Sequence, residues 1–261
     1  MSSEPQLVRY SVDSGVTAFS TTRHGGFSTG NYGEFNINPY CGDSPDAVAK
    51  NRIALCSTLG IEDKRLILPH QNHGTEVRRI AEDFFSLPDK VREMLLDGVD
   101  ALMTDVPGTC IGVSTADCIP ILLYDSVNHA CCAVHSGWRG TVARIVQKAV
   151  AAMRLAYGTS ASELRAAIGP GISIDRFEVG NEVYEEFVSA GFDMPGISRR
   201  EEKWHIDLPE CCRRQLVEAG LHPESIQMLG ECTYSDTEKY FSARRLGTAS
   251  GRIFTGIMLN T

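Results

Sequence analysis

Between Arg65 and Ser136 six short apolar runs follow one another: RLILPHQ, TEVRRI, DALMTD, CIGVST, IPILLYD and ACCAVHS. Most are β-branched and lack the strict polar alternation of a sheet with one wet face, so they read as strands covered on both sides. A sheet buried on both faces needs helices around it. One helix starts at Ser44-Pro45, carries Val48, Ile53, Leu55 and Leu59, and stops at Gly60, with the residues that helix ends require. A second runs from Thr141 to Tyr157 on apolar residues three and four apart and is closed by Gly158. IDRFEVGNEVYEEFVSAG and LPECCRRQLVEAG read as two more helices, while GVTAFSTT, LRAAIG, SIQMLGECTY and IFTGIML add strands. The expectation is an α/β fold, one layered domain over residues 1–261 with a large mixed β-sheet core flanked by helices.

Composition narrows the setting. With 261 residues, 43% of them hydrophobic, and no Pro/Gly/Ser-rich linker, the chain can bury one large core. Net charge is -8, and arginines occur in scattered pairs such as Arg78-Arg79, Arg199-Arg200 and Arg244-Arg245, which argues against a nucleic-acid surface. No apolar run is long enough to span a bilayer, and MSSEPQLVRYSVDSGV lacks the core of a signal peptide. A cytoplasmic location without a membrane partner is therefore expected. Nine cysteines, an odd number that includes the adjacent pairs Cys131-Cys132 and Cys211-Cys212, do not form a secreted disulfide framework and are expected to be mostly reduced and buried. No heptad pattern appears, and a monomer is expected.

Chemistry concentrates where strands give way to turns. Cys118 in STADCIPILLYD, His135 in CCAVHSGWRGT and a histidine of HQNHG are potential metal ligands. HQNHG offers His70 and His73; Pro69 and Gly74 favour a bend over a helix there, but spacing alone does not choose between the two. Two imidazoles and a thiolate suit zinc, and three protein ligands leave a fourth position for water, phosphate or substrate. Asp117, beside the cysteine, either orients a ligand or reacting water or simply forms a turn. SGWRG puts His135, Ser136 and Arg139 at a strand-to-helix junction, where unpaired backbone N–H groups can hold an anion. The Gly-punctuated loop RHGGFSTGNYGEFN is long enough to imply more than a connection.

Eight motifs in register, TTRHGGFS, HQNHG, DGVDALMT, TADCIPILLYD, AVHSGWRGT, IGPGIS, FEVG and FSARRLGTASGR, closely resemble the YfiH/YlmD family, also called the laccase-domain or polyphenol-oxidase-like family. The resemblance covers almost the whole chain and implies a fold similar to the catalytic domain of the cytotoxic necrotising factors. It places the zinc ligands on His73, Cys118 and His135, leaving His70 as a group on the substrate side or behind a ligand. The implied activity is phosphorolysis of adenosine, inosine and S-methyl-5'-thioadenosine, accompanied by adenosine deamination. Phosphorolysis requires donors converging on a phosphate. Arg23, Arg52 and Arg139 are the leading candidates, with Ser136 and His24 behind them, and Asn36 is a candidate for the ribose hydroxyls. Deamination requires a hydroxide, which zinc supplies by lowering the pKa of bound water, and a proton shuttle, for which His70, Asp117 and Glu178 are considered in that order.

Three other readings remain open. Copper-dependent phenol oxidation would need an additional imidazole-rich copper cluster, yet His24, His70, His129, His205 and His222 are scattered through the sequence. A Cys/His hydrolase would use Cys118 as nucleophile and His135 as base. A metal-binding protein without catalysis is the third.

Overall fold

The computed structural model describes residues 4–260. Its strands are β1 (Leu7–Tyr10), β2 (Val16–Thr21), β3 (Leu66–Ile67), β4 (Val77–Arg79), β5 (Ala101–Thr104), β6 (Cys110–Thr115), β7 (Ile119–Asp125), β8 (Ala130–Ser136), β9 (Leu164–Ile168), β10 (Glu178–Val179), β11 (Ser198–Arg200), β12 (Trp204–Ile206), β13 (Ile226–Met228) and β14 (Ile253–Leu259). Its helices are α1 (Pro45–Leu59), α2 (Asp89–Leu96), α3 (Trp138–Val142), α4 (Ile145–Tyr157), α5 (Asn181–Ser189), α6 (Leu208–Glu218) and α7 (Ala243–Leu246).

The architecture is mixed α/β with helices flanking the strands, as the hydropathy indicates, but the strands divide between two large sheets. One has the order β1-β2-β14-β6-β3, the other β13-β9-β7-β8-β5-β4, and β10-β12-β11 form a small third. In both large sheets most neighbours are antiparallel, with parallel pairs at the edges: β3 with β6, β4 with β5 and β13 with β9. The pleat explains how one strand serves two cores. Along β7, Ile119, Ile121 and Leu123 face α4 and α6, whereas Leu122 and Tyr124 face the five-stranded sheet. Along β8, Ala130, Cys132 and Val134 take the helix side, and Cys131 and Ala133 the gap between the sheets. Beyond the five-stranded sheet, Leu55 and Cys56 of α1 pack on Phe19, Phe254 and Met258. The result is four layers, helix, sheet, sheet and helix, which is why these runs are apolar on both faces.

Several elements are shorter than the hydropathy implies. RLILPHQ and TEVRRI yield only β3 and β4, both edge strands, and Pro69 cannot donate to a ladder. The helix read from Thr141 begins at Ile145, because Arg144 adopts a left-handed φ of 62° and separates it from α3. Residues 174–191 are not one helix: Glu178 and Val179 pair with β12, and α5 starts only after Gly180. SIQMLGECTY forms a strand only at Ile226–Met228, with one further bridge from Cys232 to Gly171. All nine cysteines are free thiols, and among the described residues no helix is long and apolar enough to cross a membrane.

Leu122 lies fully buried between the sheets. Leu122→Ala removes three carbons from a site that rigid strands prevent from collapsing, and should cost about 2–5 kcal/mol in urea unfolding. Met94→Ala, at a residue 70% exposed, should change stability by less than about 0.5 kcal/mol.

Candidate metal centre

Asp100, just ahead of β5, is fully buried. Its backbone carbonyl accepts from His135 N at 2.8 Å, and its Oδ1 accepts from His135 Nδ1 at 2.7 Å. That bond fixes the imidazole tautomer and leaves Nε2 for a ligand. The same carboxylate accepts backbone N–H bonds from Gly74 at 2.7 Å, His73 at 3.1 Å and Asn72 at 3.4 Å. It thereby holds the bend on which His73 stands, where the His73 backbone is left-handed at φ 64°. Cys118 arrives from the adjacent strand: β7 and β8 pair Pro120 with His135, so the residue two before Pro120 lies beside the end of β8.

One ligand atom from each of His73, Cys118 and His135 lies within 4.8 Å of the other two. The two imidazoles stand 4.9 Å apart at 75°. Tetrahedral bonds of about 2.0–2.3 Å place ligand atoms roughly 3.5 Å from one another, a small contraction from this arrangement. Gly137 makes room for it. A Cβ there would stand 2.9 Å from His73 Cδ2 and 3.0 Å from Cys118 Sγ, although its backbone (φ -73°, ψ 170°) is open to any residue. The glycine is therefore dictated by the ligands and not by the turn. His135 is buried, Cys118 half-buried and His73 exposed, so the cluster is closed behind and open in front.

Electrostatics favour the ligating forms. Burial alone would raise the Cys118 thiol; the charge and hydrogen bond of His135, with those of His73, outweigh it and bring the thiol down to about 6. Burial would lower His135, but the Cys118 thiolate and the Asp100 carboxylate raise it to about 9. Asp100 is likewise penalised by burial yet held below the usual carboxylate range by His135 and by the N–H groups of Gly74 and Asn72. In the absence of a metal, thiolate and imidazolium thus stabilise each other. Elsewhere the thiols of Cys110, Cys131, Cys132, Cys211 and Cys212 are all pushed up by burial.

The cluster opens onto a cavity of about 270 Å³ that Asn38, Tyr40, Cys41, His70, Gln71 and Arg252 help to line. The buried hydroxyls of Ser114 and Thr115, on the end of β6 beside it, have no hydrogen-bond partner. A larger groove of about 750 Å³ beside α1 carries neither histidine nor cysteine in its lining. Of the residues singled out from sequence, His70 joins His73, Cys118 and His135 in the cavity wall. Arg23 does not: its donors go to the carbonyls of Gly33 and Thr237, and its guanidinium stacks on Phe241. Arg52 pairs with Asp63 and donates to Leu66 O beside a different depression. Asn36 is buried and knits its own loop, donating to Asp43 and accepting from Arg252 N. Ser136 bonds Thr141, Arg139 lies over the Trp138 ring, His24 does not border the cavity, and Glu178 pairs with Lys203. Asp117, at φ 94°, accepts from Thr233 Oγ1 at 2.8 Å and from Arg244 N at 2.7 Å, so its carboxylate ties down the segments before and after Tyr240. Asp100, Gly137 and Arg252 were not singled out. An aspartate two residues after Gly98 reads as a turn former, and only the strand pairing of β5 with β8 brings it to His135.

Known proteins share this arrangement of the chain. The family model described as multi-copper polyphenol oxidoreductase laccase matches residues 17–260. A protein of Bacteroides thetaiotaomicron named purine nucleoside phosphorylase is 45% identical over 250 residues, spanning 95% of this chain and 93% of its own. A protein of an unknown prokaryotic organism named adenosine deaminase RL5 is 43% identical over 246 residues, with 93% and 94% covered. The crystal structure of YlmD from Geobacillus stearothermophilus superposes with a TM-score of 0.89 at 27% identity, covering 98% of this chain and 96% of that one.

After chelation, iodoacetamide at pH 7 should modify Cys118 before any thiol raised by burial, by about tenfold over an ordinary cysteine, because most of it is thiolate. The rate should fall as pH drops through about 6, where the depressed thiol protonates, and peptide mapping reads the order of labelling. Gly137→Ala should leave the circular dichroism spectrum unchanged while weakening metal affinity at least about tenfold in a chelator competition, in the range of damage to groups that orient ligands.

Proposed function

The chain belongs to the family described as multi-copper polyphenol oxidoreductase laccase, the YfiH/YlmD family, and from that membership and the His/Cys/His cluster we propose that it is a zinc-dependent purine nucleoside phosphorylase. Relatives named purine nucleoside phosphorylase and adenosine deaminase support an enzyme of this type. Its substrates in this reading are adenosine, inosine and S-methyl-5'-thioadenosine with phosphate, and deamination of adenosine accompanies phosphorolysis. It acts as a single-domain monomer in the cytoplasm, a setting in keeping with its nine free thiols.

The observation that carries the reading is the open cluster. His73, Cys118 and His135 hold the ion, and Asp100 holds His135 and the His73 bend. Zinc so held supplies a Lewis-acidic position for an oxygen of phosphate, water or substrate. Arg252 adds a fixed positive charge to the cavity wall, since its guanidinium is anchored on the carbonyls of Thr248, Ser250 and Gly251. The side chains of Asn38, His70 and Gln71 make the wall polar, as a ribose and a phosphate require. Among the described residues the ligand set has no companion cluster, which weighs against multicopper oxidation. One other reading has a specific observation behind it: Cys118, His135 and Asp100 form a nucleophile, base and orienting acid in series. A second imidazole, His73, brought to the same point favours metal over that triad.

Purified protein should carry about one zinc per chain and, with inosine in phosphate buffer, release hypoxanthine and ribose 1-phosphate. Without phosphate, base release should stop while adenosine is still converted to inosine. Cys118→Ala should lose both metal and turnover. Full metal and activity in that variant would remove the ligand assignment, and turnover that survives chelation would favour the thiol hydrolase.

A further inference from the structure

The cavity wall contains a second histidine–carboxylate pair that the metal centre does not use. His70 Nδ1 donates to Asp97 Oδ1 at 2.7 Å. The backbone joins the same two segments: His70 N donates to Leu96 O and Gly98 N to His70 O, each at 2.9 Å. Tyr40 covers the face of the ring, with centroids 4.3 Å apart and planes inclined at 31°. The imidazole is thus fixed in its plane by Asp97 and on its face by Tyr40. Its Nε2 has no hydrogen-bond partner among the described residues, although the ring borders the cavity.

The other groups in the wall are poorly suited to giving up a proton. His73, Cys118 and His135 would be taken up in holding the metal. The Cys41 thiol is pushed up by burial and donates to Asn38 O, and the Tyr40 phenol is also raised by burial. Both ends of the Gln71 amide are taken by the Ser114 backbone, and the Arg252 guanidinium is too basic.

We propose that His70 is the proton donor to the departing purine, with Asp97 setting its tautomer and Tyr40 the plane of its ring. The assignment rests on the phosphorolysis reading and says which residue completes it. As a phosphate oxygen bonds to C1′, the C1′–N9 bond breaks and its electron pair passes to the purine. The proton on His70 Nε2 moves to purine N7, so the base leaves neutral. His70 is left as the Nδ1–H tautomer that Asp97 holds, and water returns the lost proton.

The test compares inosine with 7-methylinosine in phosphate buffer. In 7-methylinosine the purine already bears the positive charge that protonation creates, so it departs without a donor. His70→Gln should lower kcat for inosine by about 100-fold or more, the usual contribution of a general acid, with KM within roughly threefold. For 7-methylinosine its kcat should fall by less than about fivefold. Asp97→Asn should show the same substrate dependence, weaker in size. Equal losses on both nucleosides would reduce His70 to a group that shapes the cavity, and an undiminished rate with inosine would remove it from the reaction. Wild-type protein inert to both would instead overturn the phosphorylase reading, and the assignment with it.

Discussion

A single buried carboxylate organises the front of this molecule. Asp100 is an ionised group buried away from the solvent surface, a state that costs several kcal/mol unless its lone pairs are filled. They are filled by the His135 ring and by three successive backbone N–H groups of the Asn72–Gly74 bend. Each of those bonds also positions the cluster. One sets the tautomer of a ligand, and the others hold the left-handed turn from which a second ligand projects. The desolvation cost of the carboxylate is met only when the ligands are in place, so the site is formed by the same contacts that make the buried charge tolerable.

The two-sheet construction explains why the site lies where it does. The pleat that sends Cys131 and Ala133 into the gap between the sheets sends His135 to the same side at the end of β8. There the apolar filling gives out. Ser114 and Thr115 at the end of β6 in the other sheet border the same cavity as His135. Rigid strands on both sides restrict relaxation, and this makes the position of a single hydrogen atom at Gly137 matter to the ligands.

Much of this was legible in the sequence, for identifiable reasons. The apolar runs at 110–115, 119–125 and 130–136 are strands almost to the residue, because central strands owe their shape to local hydropathy. The residue types that converge at the cluster, and their strand-end placement, were visible in the same way. The number of sheets was not, since a strand buried between helix and sheet is as apolar as one buried between two helices. The arginines chosen for phosphate also looked plausible by motif alone. Arg23 and Arg52 hold loops together through carbonyls and Asp63, bonds that no spacing rule announces. Arg252 and Asp100 come to the site through pairing across long sequence separations, of β14 with β6 and of β5 with β8.

The histidines bear on the chemistry beyond the cluster. A multicopper centre needs several imidazoles free to converge. His205 spends Nδ1 on Ile174 O, His129 stands against Tyr124, and His70 is held by Asp97. Each is separately engaged, and among the described residues none joins the group formed by His73, Cys118 and His135. The cluster and the unpartnered His70 Nε2 border one cavity, so a bound ion there would give the proposed ribosyl transfer an electrophile beside a proton carrier. Electron transfer to dioxygen would require instead a relay of metals, for which the fold supplies no second set of converging ligands among these residues.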